Sequence, residues 1–246
     1  VTVITTSLRH EIDGVGHDAV LVSEEALIGS APTVLVFHGM EGRSDTQLDF
    51  AAELTGWGYQ AIAVDLFGEE VTRGGLESTT AAMTGFLDDR EALAERLSAV
   101  VPVLTGAPQV DAARVAAIGF CFGGLCVLDL ARAGAALRGV ASFHGLLTPP
   151  PAARRHQVTA NVTAKVMVFH GWDDPFAPPE DVVALGREFS GRGIDWQLHA
   201  YGNALHAFMA PWADDPDRGV RYDERAARRA WESLGHFLLD CFAPGA

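Results

Sequence analysis

A chain of 246 residues that is 48% hydrophobic and 20% charged can bury a sizeable core and is not a disordered chain. A formal net charge of −14 argues against nucleic acid or an anionic membrane as partner. Three cysteines are too few for a disulfide framework or a four-ligand zinc site, so a reducing, cytoplasmic setting is expected. No apolar stretch approaches the ~20 residues that span a bilayer. The first thirteen residues lack the basic flank and apolar run of a secretory signal.

In chain order, residues 11–22 read as an antiparallel hairpin at a sheet edge, with Asp13-Gly14 as its turn. Short apolar runs follow at 34–37, 61–64, 115–118, 140–143 and 166–169, with a last strand at 196–201. They are continuous rather than alternating, as expected of parallel strands covered on both faces. Amphipathic helical patterns fall at 45–54, 81–100, 122–131, 180–189 and 222–239. The alternation predicts a single α/β domain over 1–246, a mostly parallel open sheet with helices on both faces. Its site should lie at the carboxyl ends of the strands. The proline-rich piece at 148–151 reads as a surface loop rather than a linker, because the strand–helix rhythm resumes after it.

The strand at 115–118 runs into Gly119-Phe120-Cys121-Phe122-Gly123-Gly124 and then a helical pattern. This is the G-x-S-x-G nucleophile elbow with cysteine in place of serine. A nucleophile on so sharp a turn needs small residues two positions either side, and a helix N-terminus favours thiolate. A small buried cysteine at a tight turn would leave the same trace. The order downstream adds weight. The run at 166–169 leads into a turn-rich loop carrying Asp173 and Asp174, and His206 lies beyond the last strand. Nucleophile, acid and histidine in that order, each after a strand, is the arrangement of hydrolase triads on open α/β sheets.

These segments resemble the dienelactone hydrolase family of the α/β-hydrolase fold: the elbow around Cys121, Asp174-Pro-Phe-Ala-Pro, and Tyr201…His206-Ala-Phe. Residues 34–42 and 58–68 agree too, so the likeness covers nearly the whole chain. It implies Asp174 as acid and His206 as base. It also implies acyl transfer through a thioester on Cys121, with small esters or lactones as substrates and no cofactor. The backbone N–H groups of Phe122 and, by alignment, Met40 would form the oxyanion hole. Two positions depart from the family's namesake. Gly39 stands where that enzyme has a glutamate, with Glu41 two residues on as a stand-in or a solvated loop carboxylate. Ala210 stands where it has an arginine that binds the substrate's carboxylate, although Arg73 or Arg90 could bring a charge. A different, less charged ester or lactone is therefore expected.

His38 could line the pocket mouth. Trp172, Phe176, Phe208, Met209 and Trp212 could wall an apolar acyl pocket or pack a core. Cys126 and Cys241 read as core residues. The histidines are scattered without a metal-ligand spacing, and no phosphate-binding lysine follows the glycines. Two alternatives stay open: a non-catalytic ligand-binding or sensor protein on the same fold, and a thiol redox protein, the latter disfavoured without Cys-x-x-Cys. The protein is expected to be a monomer or small homo-oligomer.

Overall fold

The computed structural model describes residues 2–150 and 162–243. The chain forms two compact units, Val1–Ala117 and Ile118–Ala246.

In the first unit, β1 (Val3–Ile12) and β2 (Val15–Glu24) pair antiparallel, with Ile12 opposite Val15. The hairpin is longer than the sequence suggests because β1 carries Thr5, Ser7 and Arg9 and shows no apolar run. Its turn is the expected one. Asp13 (φ 52°) and Gly14 (φ 76°) are both left-handed, the conformation an Asp-Gly hairpin turn adopts at low cost. β2 pairs antiparallel with β4 (Gln60–Ala63), which pairs parallel with β3 (Thr33–Phe37), giving the order β1-β2-β4-β3. β3 and β4 are buried throughout, which explains the apolar runs that follow Thr33 and Gln60. Helix α1 (Asp45–Thr55) is capped by Ser44, and its Gln47 amide donates to the carbonyls of Val36 and Val64 at the strand ends.

The single helix expected at 81–100 is instead two. After α2 (Glu69–Arg73) come α3 (Gly75–Asp88) and α4 (Arg90–Thr105). Asp89 breaks the run (φ −117°, ψ 83°), and its carboxylate accepts the amides of Glu91 and Ala92, each at 3.0 Å. A local N-cap overrides the helical period here, as capping carboxylates do.

The second unit begins inside β5 (Val115–Phe120) and continues with α5 (Phe122–Arg132), β6 (Gly139–Phe143) and β7 (Lys165–Gly171). Then come α6 (Pro179–Gly191), β8 (Trp196–Tyr201), a two-residue hairpin of β9 (Asp214–Asp215) and β10 (Val220–Arg221), and α7 (Glu224–Cys241). The strand order is β5-β6-β7-β8, with β6, β7 and β8 parallel. Residues 148–150 are irregular, and Pro151, where the expected surface loop ends, lies outside the described residues. Every residue of α5 is buried. Its last, Arg132, is compensated by Asp129 at 3.1 Å, a two-pronged pair with Glu188 and the Leu147 carbonyl at 2.9 Å. A buried guanidinium is tolerable only with such a full set of acceptors.

Candidate active site

Three loops of the second unit leave the carboxyl ends of β5, β7 and β8. The first is the elbow. Cys121 sits at φ 53°, ψ −116°, a left-handed backbone that costs a non-glycine residue energy. Neighbours enforce it. The Cys121 amide donates to the Phe143 carbonyl at 3.0 Å, and its carbonyl accepts from Gly124 at 3.0 Å as α5 begins. A Cβ on Gly119 would overlap the Gly123 carbonyl, so the first glycine of the motif is obligatory. Gly124 serves a different purpose. A Cβ there would stand 2.8 Å from the Cα of Gly145, so it lets α5 approach the chain beyond β6.

The acid and histidine loops lean on one another. A Cβ on Gly171 would lie 2.7 Å from the carbonyls of Ala204 and Leu205, so only glycine permits this approach. The Trp172 amide donates to Tyr201 at 2.9 Å and the Asp173 amide to Ala204 at 3.1 Å. This pairing separates the two adjacent carboxylates. Asp173 is exposed, whereas Asp174 is buried and turned inward. One Asp174 oxygen accepts the Phe176 amide at 2.8 Å, and the other lies 2.8 Å from Nδ1 of His206. Nε2 of His206 lies 3.1 Å from Sγ of Cys121, completing a hydrogen-bonded chain of three groups.

The histidine loop is clamped by a feature absent from the sequence reading. The His206 amide donates to the Gly219 carbonyl at 2.9 Å and its carbonyl accepts from Arg221 at 3.0 Å, so His206 bridges β10. Pro175, beside the acid, packs where a Cβ of Gly219 would stand. Burial opposes a charge on His206, but the hydrogen bonds to Asp174 and Cys121 and the charge of both partners prevail. They push its pKa up to about 10. A histidine that holds a proton between two acceptors can pair with a thiolate and later hand the proton on.

Around this chain, Phe176 is half exposed with its ring 4.9 Å from that of His206, while Phe208 is fully buried and Met209 nearly so. Trp172 and Trp212 are exposed. Ala210 is buried in a small apolar cluster with Ala207 and Ala213, against which Val220 packs. Of the residues expected near the elbow, His38, Met40 and Glu41 belong to the first unit. His38 is buried there, its Nδ1–H donating to Gly39 at 2.8 Å and its Nε2 accepting the Leu66 amide at 3.2 Å. Glu41 folds back to accept the Gly39 amide at 3.4 Å, and Met40 is half-buried between them. Arg73 pairs with Glu69, and Arg90 opens α4. The sequence reading passed over His144, which directly follows the strand at 140–143. Its ring is buried 5.1 Å from that of His206. A search of every strand end for titratable groups would have found it.

Comparison with known proteins places the chain in a family. The model of the dienelactone hydrolase family matches residues 18–242. A solved dienelactone hydrolase-like promiscuous phosphotriesterase from metagenomic libraries is 31% identical, with a TM-score of 0.88 over 98% of this chain and 99% of its own. A second solved structure, m3DLH, is 32% identical, with a TM-score of 0.86 over 98% and 99% of the two chains. A Synechocystis sp. protein named "Putative carboxymethylenebutenolidase" is 26% identical over 87% of each chain. The fold class read from the sequence holds: this is the α/β-hydrolase fold, a mostly parallel sheet with helices on both faces. The protein is a hydrolase of carboxylic esters or lactones. With the family pattern running from β2 to the end of α7, the chain belongs to the dienelactone hydrolase family.

Proposed function

We propose that the whole chain works as one α/β-hydrolase domain that cleaves a small ester or lactone by acyl transfer to Cys121. The observation that carries this reading is the chain Asp174–His206–Cys121, at 2.8 and 3.1 Å, on three loops at strand ends. With its proton held on Nε2 of His206, Cys121 attacks the carbonyl carbon as a thiolate. The oxygen that gains charge is met by the backbone N–H groups of Phe122 and Met40. The tetrahedral adduct then collapses. Its C–O bond breaks, His206 protonates the leaving alkoxide, and a thioester remains on Cys121. For a lactone the alcohol stays attached to the acyl group. Water next gives a proton to His206 and attacks the thioester, releasing the acid and regenerating the thiolate beside the charged ring.

Asp174 accepts the Nδ1 proton and stabilises the positive ring at both steps. The small apolar cluster around Ala210 supports an uncharged or less charged acyl group, since that position offers no cation to a carboxylate. Trp172 and Phe176 supply apolar surface beside the triad loops, whereas Phe208, fully buried, packs behind His144 and offers none. In this reading the protein acts in a reducing, cytoplasmic setting that keeps Cys121 a thiol. No helix among the described residues is long and apolar enough to cross a membrane.

The test is a panel of p-nitrophenyl esters and lactones on wild type, Cys121→Ala and Cys121→Ser, with mass spectrometry for an acyl adduct. The likeness to a promiscuous phosphotriesterase adds a neutral phosphotriester to that panel. Wild type should show the adduct, and Cys121→Ala should lose activity and adduct together. Ester hydrolysis surviving in Cys121→Ala would sink the mechanism, and dienelactone emerging as the best substrate would sink the specificity argument.

A further inference from the structure

His206 is held at its ring edges by Asp174 and Cys121, and its flanks are met by two rings standing nearly upright to it. One is Phe176, at 4.9 Å and 67°. The other is His144, at 5.1 Å and 71°. Phe176 is half exposed, whereas His144 is 3% exposed and also packs edge-on against Phe208 at 5.4 Å. His144 has three unusual features at once. Its backbone is left-handed (φ 39°), which a non-glycine residue avoids. Neither ring nitrogen has a hydrogen-bond partner among the described residues. And its place on the chain is tied to the nucleophile, because the preceding Phe143 carbonyl accepts the Cys121 amide at 3.0 Å. Orphaned polar atoms and backbone strain are both costly, and they persist where a site needs them.

We propose that His144 is a positioning residue for catalysis: a buried, uncharged imidazole that holds the ring of His206 upright and favours its charged form. The reasoning is electrostatic. A neutral imidazole beside an imidazolium offers it a nitrogen lone pair that a phenyl ring lacks, and this attracts the cation. A protonated His144 would instead place a second cation beside the first. It would also bury N–H donors with no acceptor. Burial first, and then the charge of His206, lower the pKa of His144 well below the ordinary histidine value. The ionisable groups around the pair are Cys121 at the head of α5, Asp174 beyond β7 and His170 at the end of β7. His170 is itself buried, with both nitrogens unpartnered and its pKa lowered by burial.

This inference rests on the reading of Cys121 and His206 as the working pair, so the test must read that pair without a substrate. The rate of Cys121 alkylation by iodoacetamide against pH reports the thiolate directly. Three variants are compared with wild type: His144→Phe, which keeps the ring shape without a lone pair; His144→Gly, which accepts the left-handed backbone; and His206→Asn. Thermal melting checks that each is folded. The half-maximal pH of alkylation should rise by about one unit in both His144 variants, and kcat/KM for an activated ester should fall about tenfold with KM nearly unchanged. Folded His144→Phe and His144→Gly with an unshifted alkylation profile overturn the proposal while the pair survives. An unshifted profile in His206→Asn shows that the pair itself is wrong, and the proposal falls with it.

Discussion

At the elbow, Cys121 is held by sterics: a left-handed backbone, a helix that starts at once behind it, and glycines where any Cβ would collide. At the histidine loop, His206 is held by hydrogen bonds. Its amide and carbonyl are clamped between Gly219 and Arg221, and its ring lies between Asp174 and Cys121. The first device is local in sequence and permits no adjustment. The second draws on residues more than ten positions away and can yield by small shifts of hydrogen-bonded backbone. The difference suits the proposed chemistry. In that reading Cys121, partly exposed, must stay strained, whereas His206 must exchange a proton with leaving group and water.

The comparison predicts that the elbow breaks hardest. Gly119→Ala forces a Cβ into the Gly123 carbonyl at the start of a fully buried helix. It should cost about 3 kcal/mol or more of stability, read from the urea midpoint, since neither backbone segment can retreat. Asp174→Asn is next, and it acts on the base without distorting the elbow. kcat should fall about a hundredfold or more in a protein that still folds, because the His206 ring loses its charged acceptor. The same variant has a stability signature. The folded state pushes His206 up to about 10 from an ordinary 6.5, so its contribution to stability is complete below about pH 6.5 and fades as pH rises toward 10. Urea midpoints measured across that window should decline more steeply in wild type than in Asp174→Asn. A parallel decline would mean that Asp174 does not hold the proton on His206.

The same contrast explains what could be read from the sequence. The elbow was legible because its demands fall on neighbours: glycine, cysteine and glycine within five residues, after an apolar strand. The order of nucleophile, acid and base was legible because each follows a strand. The choice between Asp173 and Asp174 came from family alignment. Its physical cause, one side chain turned inward by pairing of the two loops, needs Ala204 and Tyr201 in space. The clamp on His206 was invisible, since β9 and β10 have two residues each and leave no periodicity. His144 was passed over because its role depends on a ring contact across 62 positions of sequence, which no motif encodes. The helix predicted at 81–100 failed at Asp89, where a capping carboxylate outweighs a continuous amphipathic pattern.

Two smaller changes test how far the histidine loop can yield. Gly171→Ala puts a Cβ 2.7 Å from the carbonyls of Ala204 and Leu205, so the loop must move. Because this loop is hydrogen-bonded rather than wedged, the cost should be about 1–2 kcal/mol, less than at Gly119. The damage should appear in kcat before it appears in the melting temperature. The smallest effect is expected at Ala207, next to His206, whose φ of 57° is left-handed with no side-chain hydrogen bond to compensate. Glycine accepts that backbone freely but adds entropy to the unfolded chain. The net should be a gain of about 0.5 kcal/mol, seen as a slightly higher urea midpoint. If the strain at Ala207 serves only to close the loop, activity in Ala207→Gly should remain within about twofold of wild type. A loss of tenfold or more in a protein at least as stable would mean that the loop, like the elbow, uses its strained backbone to aim the reacting group.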